Sequence, residues 1–393
     1  MKILYHHRVA SKDGQYVHID EIILQLKRQG QEVTMVCPVL ADKSAFGSSG
    51  GLVSSLKRHM PQAIYELLEL SYNLLIFAKL VRAIVRHKPD VIYERYNLFT
   101  VAGVWAARLF RLPLLLEINA PLFDERQRFN GIALKRLARA TESYCWRNAD
   151  RALPVTQVLA DQVHARGVPH ERISVIPNGV EPERFNPQIP PAPLPAGASG
   201  RLVVGFVGFC REWHELDRVV ELIADAKFDH LFLLIVGDGP ARQGIEAAAQ
   251  RMGIQHRVHL TGLISREQMP QWQAAIDIAL QPAVVAYASP LKMLEYMACA
   301  KAIVAPDQAN IRELLTHEQN ALLFAPQDTD QFLEAIARLA ADPPLRRQLG
   351  QAALSDIQTR PLTWAHNATR IIALATGLQQ RPVASSAAER EQP

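Results

Sequence analysis

Several features that mark particular classes of protein are scarce in this chain of 393 residues. There are only four cysteines, Cys37, Cys145, Cys210 and Cys299. They lie far apart without CxxC pairs or zinc spacing, so we expect reduced core thiols, no disulfide framework and no metal centre. The most apolar run, residues 63–85, contains four charged side chains, too many for a membrane-spanning helix. The N-terminus lacks a secretion signal, and we therefore expect a cytoplasmic protein.

The composition fits a soluble protein of two domains. Hydrophobic residues make up 49% of the chain and charged residues 21%, which is enough apolar material for two cores at this length. The formal net charge is a modest +4. Because no platform of alternating aromatic and basic side chains is visible, we do not expect a nucleic-acid partner.

Strand and helix patterns alternate along both halves of the chain. In the first half we predict strands at residues 3–6, 32–36, 91–93 and 113–118, with helices between them. Residues 186–200 carry five prolines and predict an interdomain linker. After it the alternation restarts, with strands at 202–207, 231–236 and 258–260. Such alternation predicts parallel sheets covered on both faces.

These patterns predict the domain organisation. We place one doubly wound domain at residues 1–185 and a second at 201–362, with the linker at 186–200 between them. A C-terminal helix at 363–378 is expected to pack back on the first domain. The polar tail at 379–393 is expected to be disordered.

One short segment combines a helix start with charges that suit a nucleotide. Ser289 suits the N-cap and Pro290 the first helical position, so we predict that a helix begins there. Lys292 in the first turn opposes the helix dipole, which is unfavourable unless a phosphate lies in front of it. One turn later, Glu295 can accept two hydrogen bonds from the diol of a ribose. The alternative is a surface pair of Lys292 with Glu295 on an ordinary capped helix.

Four motifs occur in order along the chain: Val175-Ile-Pro-Asn-Gly-Val180, Val236-Gly-Asp-Gly-Pro240, Val258-His-Leu-Thr-Gly-Leu263 and the segment from Ser289 to Val304. Together they resemble the motifs of the GT-B glycosyltransferases of family 4, and the resemblance covers nearly the whole chain. It implies an α/β GT-B fold of two doubly wound Rossmann-like domains facing a central cleft. It also implies a retaining enzyme with a nucleotide-diphosphate sugar donor on the C-terminal domain, an acceptor on the N-terminal domain, and no metal or other cofactor.

The resemblance assigns donor contacts to the second domain. Backbone at Gly262 and Leu263 is expected to meet the base, and Glu295 the ribose. The N–H groups of Leu291 and Lys292, next to Ser289, are expected to meet the diphosphate. Two further positions follow the first strand of that domain.

In the loop after the strand at 202–207, Arg211 is the expected basic partner of the leaving diphosphate, because a guanidinium donates two parallel hydrogen bonds and stays charged. The alternative is that Arg211 is only a solvated loop arginine. His214 falls where the family has lysine and can compensate charge only when protonated. In the first domain, Gly14 matches the glycine stretch that lets backbone approach the donor phosphate or acceptor, although a glycine there can also be only a turn.

The chain departs from the family at two positions. Tyr287 stands where the first glutamate of the E-x7-E motif is expected, and Asn119 stands where the family has histidine. We assign both, with Arg211, to catalysis, since asparagine can still hydrogen-bond a sugar hydroxyl although it takes no proton. The mechanism proposed for such enzymes needs no base from the protein, because the leaving phosphate oxygen deprotonates the acceptor.

Three charged residues at the ends of first-domain strands are candidate acceptor contacts: Glu94, Arg95 and Glu117. Glu94 beside Arg95 is alternatively a local charge pair. Glu117 lies in an apolar run, where a buried carboxylate needs a partner, and it alternatively pairs with Arg95 or Arg126.

A basic cluster, Lys57-Arg58-His59, precedes the apolar stretch from Ile64 to Phe77, and further basic residues follow it. This pattern favours contact with an anionic membrane surface, at the inner face of the cytoplasmic membrane, or equally a helix with a solvated basic face.

We therefore expect a hexosyltransferase acting on a glycan or lipid-linked acceptor in cell-surface polysaccharide or glycolipid assembly. The alternatives are a non-catalytic nucleotide-sugar-binding partner of a glycosylation complex and a GT-B sugar-nucleotide 2-epimerase. Tyr287 and Asn119 argue against the epimerase, which needs acidic groups and a histidine around the sugar.

Overall fold

The structure is a computed structural model, and it describes residues 1–9, 14–38, 60–129 and 131–380. The chain divides into two compact units. The first unit comprises Met1–Pro177 with Trp364–Pro393, and the second comprises Asn178–Thr363. Each unit contains one parallel sheet.

The first unit is built on a five-stranded sheet of order β2-β1-β3-β4-β5. Its strands are β1 Lys2–His6, β2 Glu32–Val36, β3 Val91–Arg95, β4 Leu114–Ile118 and β5 Arg151–Pro154. The helices described between them are α1 Gly14–Arg28, α2 Gln62–Ser71, α3 Asn73–His87, α4 Ala102–Phe110, α5 Leu122–Phe129, α6 Lys135–Asn148 and α7 Gln157–Ala165. Strands β3 and β4 are buried along their whole length, as expected of central strands in a parallel sheet with helices on both faces.

The second unit is built on a six-stranded sheet of order β11-β10-β9-β6-β7-β8. Its strands are β6 Leu202–Val207, β7 Leu231–Val236, β8 Val258–Leu260, β9 Ile278–Leu280, β10 Ala302–Pro306 and β11 Leu322–Phe324. Its helices are α8 Leu216–Ala224, α9 Arg242–Arg251, α10 Met269–Ala274, α11 Leu291–Ala298, α12 Ala309–Arg312, α13 Thr329–Ala341 and α14 Pro343–Thr359. The last helix of the chain, α15 Trp364–Gln379, belongs to the first unit.

Strand β7 shows how the second sheet builds two cores. Phe232, Leu234 and Val236 enter one apolar cluster, whereas the alternate residues Leu231 and Leu233 enter another on the opposite face. Side chains of a strand point alternately to the two faces, so both faces are covered. The predicted α/β fold of two parallel-sheet domains is confirmed.

The predicted linker at 186–200 needs correction. The Ala192 amide donates to the Gln271 carbonyl at 2.8 Å, Ala198 is buried, and a Cβ on Gly197 would overlap the His256 carbonyl. The segment therefore packs on the second unit, and the chain changes unit at residues 177–178 and 363–364 instead. Prolines favour an extended backbone, which suits a free linker and a packed segment equally.

Helix α15 is tied to the first unit through polar contacts. The Gln29 side-chain amide donates to the Ala365 carbonyl at 2.7 Å, and that of Gln379 donates to the Asp90 carbonyl at 3.2 Å. Gln379, which was expected to be the first residue of a disordered tail, is the last residue of helix α15. Residues 381–393 of the predicted tail lie outside the described residues. Among the helices that are described, none has the length and hydropathy to cross a bilayer.

Candidate functional site

The turns that follow β6 and β7 pack tightly against each other. Gly208 and Gly237 have φ of +129° and +140°, and a Cβ on Gly237 would overlap the Gly208 carbonyl. The Cys210 amide donates to the Asp238 carbonyl at 2.9 Å. Glycine is needed where the backbone takes positive φ and another backbone approaches this closely. The carboxyl edge of the second sheet therefore carries half-buried backbone without a side chain at Gly208.

Helix α11 begins one residue later than predicted. Its N-cap is Pro290, and no side chain caps the helix. The Ser289 hydroxyl instead accepts the Asn178 amide at 3.0 Å, and the Asn178 side chain donates to the Ser289 carbonyl. The N-cap prediction for Ser289 was wrong because a distant backbone group takes its hydroxyl. The start of α11 consequently keeps its amide groups available near Leu291.

Lys292 reaches from the first turn of α11 to the end of β6. Its ammonium lies 4.0 Å from the centroid of the Phe206 ring and 3.4 Å from the position that a Cβ would take on Gly208. Burial lowers the pKa of Lys292 to about 7, although the charge of Glu295 acts in the opposite direction. An amine that is about half protonated at pH 7 thus lies beside the half-buried turn and the helix start. An anion bound there would favour its charged form.

Glu295 lies one turn further along α11 and is half-buried. The side-chain amide of Gln273, a fully buried residue of α10, donates to one of its carboxylate oxygens. The next residue, Tyr296, is also fixed, since its hydroxyl accepts the Val207 amide at 2.9 Å. Gln273 was missed in the sequence analysis, and no local pattern indicates it, because its partner lies 22 residues away.

The loop after β6 carries the exposed Arg211 and the buried His214. The Arg211 guanidinium lies between two exposed rings, 5.0 Å from that of Phe209 and 4.8 Å from that of Trp213. The Arg211 amide donates to Nδ1 of His214 at 3.1 Å. Burial, followed by the charges of Lys292 and Arg211, lowers the pKa of His214 to about 3. His214 is therefore neutral near pH 7 and does not provide the positive charge of the lysine that the family places there.

The remaining second-unit candidates lie in loops after β8 and β9. Gly262 has φ +69°, and the side chain of Leu263 is exposed. Tyr287 is half-buried in the loop that precedes α11. That loop is held by Asn310, whose side-chain amide donates to the Ala288 carbonyl at 2.8 Å. Since β9, β6, β7 and β8 are neighbours in the sheet, these loops share one edge.

In the first unit, Glu117 is the centre of a buried polar cluster. The Arg95 guanidinium pairs with it, the Tyr93 hydroxyl donates at 2.9 Å, the Asn119 side-chain amide donates at 2.6 Å, and Nε2 of His18 lies 3.2 Å away. Burial alone would raise the pKa of Glu117, but His18 and Arg95 outweigh it and hold the pKa well below its ordinary value. The carboxylate is thus ionised and enclosed by donors.

Glu94 and Arg95 do not form the local pair considered from the sequence. They are consecutive residues of β3, so their side chains point to opposite faces of the sheet. Glu94 is buried, and its carboxylate oxygen Oε2 lies 3.3 Å from Nδ1 of His6. The carboxylate also packs against Gly103, where a Cβ would overlap it. Arg126, the other partner considered for Glu117, pairs with an acidic residue of α2. The acceptor candidates therefore make contacts inside the unit, and their acceptor role stays a prediction.

Two family models match the chain in succession. Residues 12–184 match Glycosyltransferase Family 4, and residues 201–342 match Glycosyl transferases group 1. The chain belongs to the GT-B glycosyltransferases of family 4. The match thus extends over both units and includes the candidate residues of each.

Individual relatives of the chain agree with that membership. It is 27% identical over 256 residues to a 2-deoxystreptamine glucosyltransferase from Streptomyces kanamyceticus, covering 62% of this chain and 65% of the relative. It is 28% identical over 221 residues to the lipopolysaccharide core biosynthesis glycosyltransferase LpsD of Rhizobium meliloti, covering 54% of this chain and 60% of that protein. In both cases the match spans less than two thirds of the relative's length.

The fold of the chain is also that of solved structures. HepE of Anabaena in complex with UDP superimposes with a TM-score of 0.71 at 18% identity, over 96% of this chain and 100% of that one. At this identity the likeness concerns the fold.

The candidate donor-binding residues lie in both units. Those around Gly208 and the start of α11 meet directly, through the ammonium of Lys292. Gly14 is the first residue of α1 and belongs to the other unit.

Proposed function

We propose that the chain is a retaining glycosyltransferase that moves a hexose-type sugar from a nucleotide-diphosphate sugar to a hydroxyl group of a glycan or lipid-linked acceptor. One observation carries the proposal: Lys292 and Glu295 lie one turn apart on α11, with the ammonium beside Gly208 and the carboxylate held by Gln273. A cation and an oriented carboxylate at this separation match the diphosphate and the ribose of one nucleotide.

In this proposal the donor spans the edge of the second sheet. The uncapped start of α11 donates its amides to the diphosphate, and Lys292 adds a charge from the side. Glu295 accepts hydrogen bonds from the two ribose hydroxyls. Backbone at Gly262 and Leu263 meets the base, so the side chains do not dictate which base is bound.

The reaction breaks the bond between the anomeric carbon and the diphosphate oxygen and forms a bond from the same carbon to the acceptor oxygen. The departing phosphate oxygen takes the acceptor proton on the same face, which retains the anomeric configuration. Lys292 and Arg211 stabilise the negative charge that develops on the diphosphate, and no metal ion is required. Asn119 and Tyr287 position sugar hydroxyls by hydrogen bonds, since neither is a base at neutral pH.

We further propose that the enzyme acts in the cytoplasm, in the assembly of cell-surface polysaccharide or glycolipid. The similarity to LpsD, named for lipopolysaccharide core biosynthesis, supports such an acceptor. Because the chain is also similar to a 2-deoxystreptamine glucosyltransferase, 2-deoxystreptamine is the second acceptor to test beside a lipid-linked glycan.

The test is donor hydrolysis by the purified chain. The protein is incubated without acceptor with UDP-, GDP-, ADP- and dTDP-sugars, and the released nucleoside diphosphate is quantified. We expect slow release from one donor. Glu295→Ala should reduce this release at limiting donor about tenfold or more, whereas Glu334→Ala, which replaces an exposed glutamate of α13, should leave it unchanged.

Acceptors are then added with the donor so identified. Faster release with a lipid-linked glycan, and a product with the donor's anomeric configuration by NMR, would support the proposal. Binding of a donor with no turnover under any acceptor would instead favour a non-catalytic nucleotide-sugar-binding protein. A product of inverted configuration would refute the retaining mechanism.

A further inference from the structure

Helices α2 and α3 form one nearly continuous helix. Tyr72, the single residue between them, has helical φ and ψ of −59° and −19°. Its amide donates to the Leu68 carbonyl at 3.0 Å, and its carbonyl accepts the Ile76 amide at 3.1 Å. Residues from 62 to 87 therefore follow one helical periodicity, so positions three or four apart share a face.

One face of this α2–α3 helix is fixed to the first unit. Its buried residues recur at helical spacing: Glu66, Asn73, Ile76, Leu80 and Ile84. The Asn73 side-chain amide donates to the Phe99 carbonyl, and its oxygen accepts the Val101 amide at 2.7 Å. These bonds fix which face of the helix points outward.

The outward face is strongly apolar over its first half. Its exposed side chains, which we call the leucine stripe, are Ile64, Leu67, Leu68, Leu74 and Leu75, each 46% to 68% exposed. They follow the same three- and four-residue spacing as the buried face. A run of large aliphatic side chains along one exposed helical face marks an interaction surface rather than scattered surface residues.

The same face is basic over its second half. Lys79, Arg82 and Arg86 are exposed there, and the sequence from residue 72 to 88 contains no acidic residue. The two carboxylates of α2 are engaged elsewhere: Glu66 is buried and accepts the amide of Leu134 at 2.7 Å, and Glu69 pairs with an arginine of α5. The face therefore joins apolar side chains to positive charge that no carboxylate of the same face offsets.

We propose that the α2–α3 helix lies in the plane of an anionic lipid surface and binds it. The leucine stripe enters the boundary between headgroups and acyl chains, while Lys79, Arg82 and Arg86 contact lipid phosphates. An apolar face with adjacent basic residues, on a helix that does not span the bilayer, is the arrangement that interfacial helices use. The positive charge selects acidic over zwitterionic lipids. The predicted basic cluster at residues 57–59 lies outside the described residues and is not needed for this inference.

The test is flotation of the full chain with vesicles of phosphatidylcholine, with and without phosphatidylglycerol. We expect binding only when phosphatidylglycerol is present, and weaker binding as salt is raised. Leu74→Gln with Leu75→Gln should reduce the partition coefficient at least about tenfold. Arg82→Gln with Arg86→Gln should reduce it about 30-fold, because each basic side chain near such a surface contributes about fivefold.

The matched control is Arg251→Gln with Met252→Gln, which removes one exposed basic and one exposed apolar side chain from the second unit. It should bind vesicles like the unaltered chain. All variants replace exposed residues, so circular dichroism and thermal unfolding should match the parent. Donor hydrolysis should also be unchanged, which separates this inference from the proposed function.

Three results would overturn the inference. The first is no binding of the unaltered chain to phosphatidylglycerol vesicles. The second is binding that survives both double substitutions. The third is a dimer in solution that Leu74→Gln with Leu75→Gln dissociates, because a second copy of the chain would then cover the leucine stripe.

Discussion

Two glutamates, one in each unit, were both expected in the site, and their surroundings differ. Glu117 of the first unit is 2% exposed and is surrounded by an arginine, a histidine, tyrosines and Asn119. Glu295 of the second unit is half-buried on the first turns of a helix, where the amide of Gln273 orients it. A carboxylate enclosed by donors holds a fold together, whereas one that is oriented but accessible can bind a ligand.

We therefore expect Glu117 to contribute to the stability of the fold and Glu295 to nucleotide binding. Four substitutions test this difference. The largest effect is expected for Glu117→Gln. It leaves the Arg95 charge buried without its counter-ion, so the free energy of unfolding should fall by about 3–5 kcal/mol. Urea unfolding followed by circular dichroism measures this change. An unfolding midpoint equal to that of the unaltered chain would show that the cluster is not structural.

The second substitution, Glu295→Ala, should do the reverse. Donor binding should weaken by about 1.5–3 kcal/mol through loss of hydrogen bonds to a charged group. The free energy of unfolding should fall by only about 1–2 kcal/mol, because the buried Gln273 amide loses a partner. Calorimetric titration with the nucleoside diphosphate measures binding. A nucleotide that lacks both ribose hydroxyls is the control, because its affinity should not depend on Glu295. Equal losses for both nucleotides would place the ribose elsewhere.

Local sequence signals predicted most of the fold. Strand β7 was predicted at residues 231–236, where it lies, because a short apolar run between turn residues leaves little choice. The helix at Glu295 was also predicted, with its start misplaced by one residue. That error arose because Ser289 bonds with Asn178, which is 111 residues away. Short-range patterns thus predict that a helix or strand is present, whereas hydrogen bonds to residues distant in the sequence determine where it begins.

The first-unit site was harder to predict for the same reason. The sequence showed that Glu117 needs a partner, but His18 and Tyr93 come from α1 and β3, and only the sheet order brings them to β4. The Pro-rich segment gave a similar error, since its composition does not reveal that it packs on the second unit. Both the partners of Glu117 and the packing of the Pro-rich segment depend on residues that are distant in the sequence.

The third prediction uses the charge of Lys292. Because burial lowers its pKa to about 7 and a bound diphosphate would favour the charged form, nucleotide binding should take up a proton above pH 7. Affinity should therefore fall about fivefold between pH 7 and pH 8. Lys292→Arg should remove this dependence, because arginine stays charged. Calorimetric titrations in buffers of different ionisation enthalpy count the protons taken up when the nucleotide binds. If the affinity of both proteins depended equally on pH, Lys292 would be excluded as the source of that dependence.

The smallest effect is expected for Gln273→Met, which sharpens the comparison most. Methionine keeps the volume of the buried side chain but removes the hydrogen bond to Glu295, so the carboxylate stays while its orientation is released. Nucleotide affinity should fall about threefold, less than in Glu295→Ala, because only the cost of ordering one side chain is added. The nucleotide without ribose hydroxyls should again bind unchanged. A loss as large as that of Glu295→Ala would mean that Gln273 itself contacts the donor, and no loss would mean that helix α11 alone orients the carboxylate.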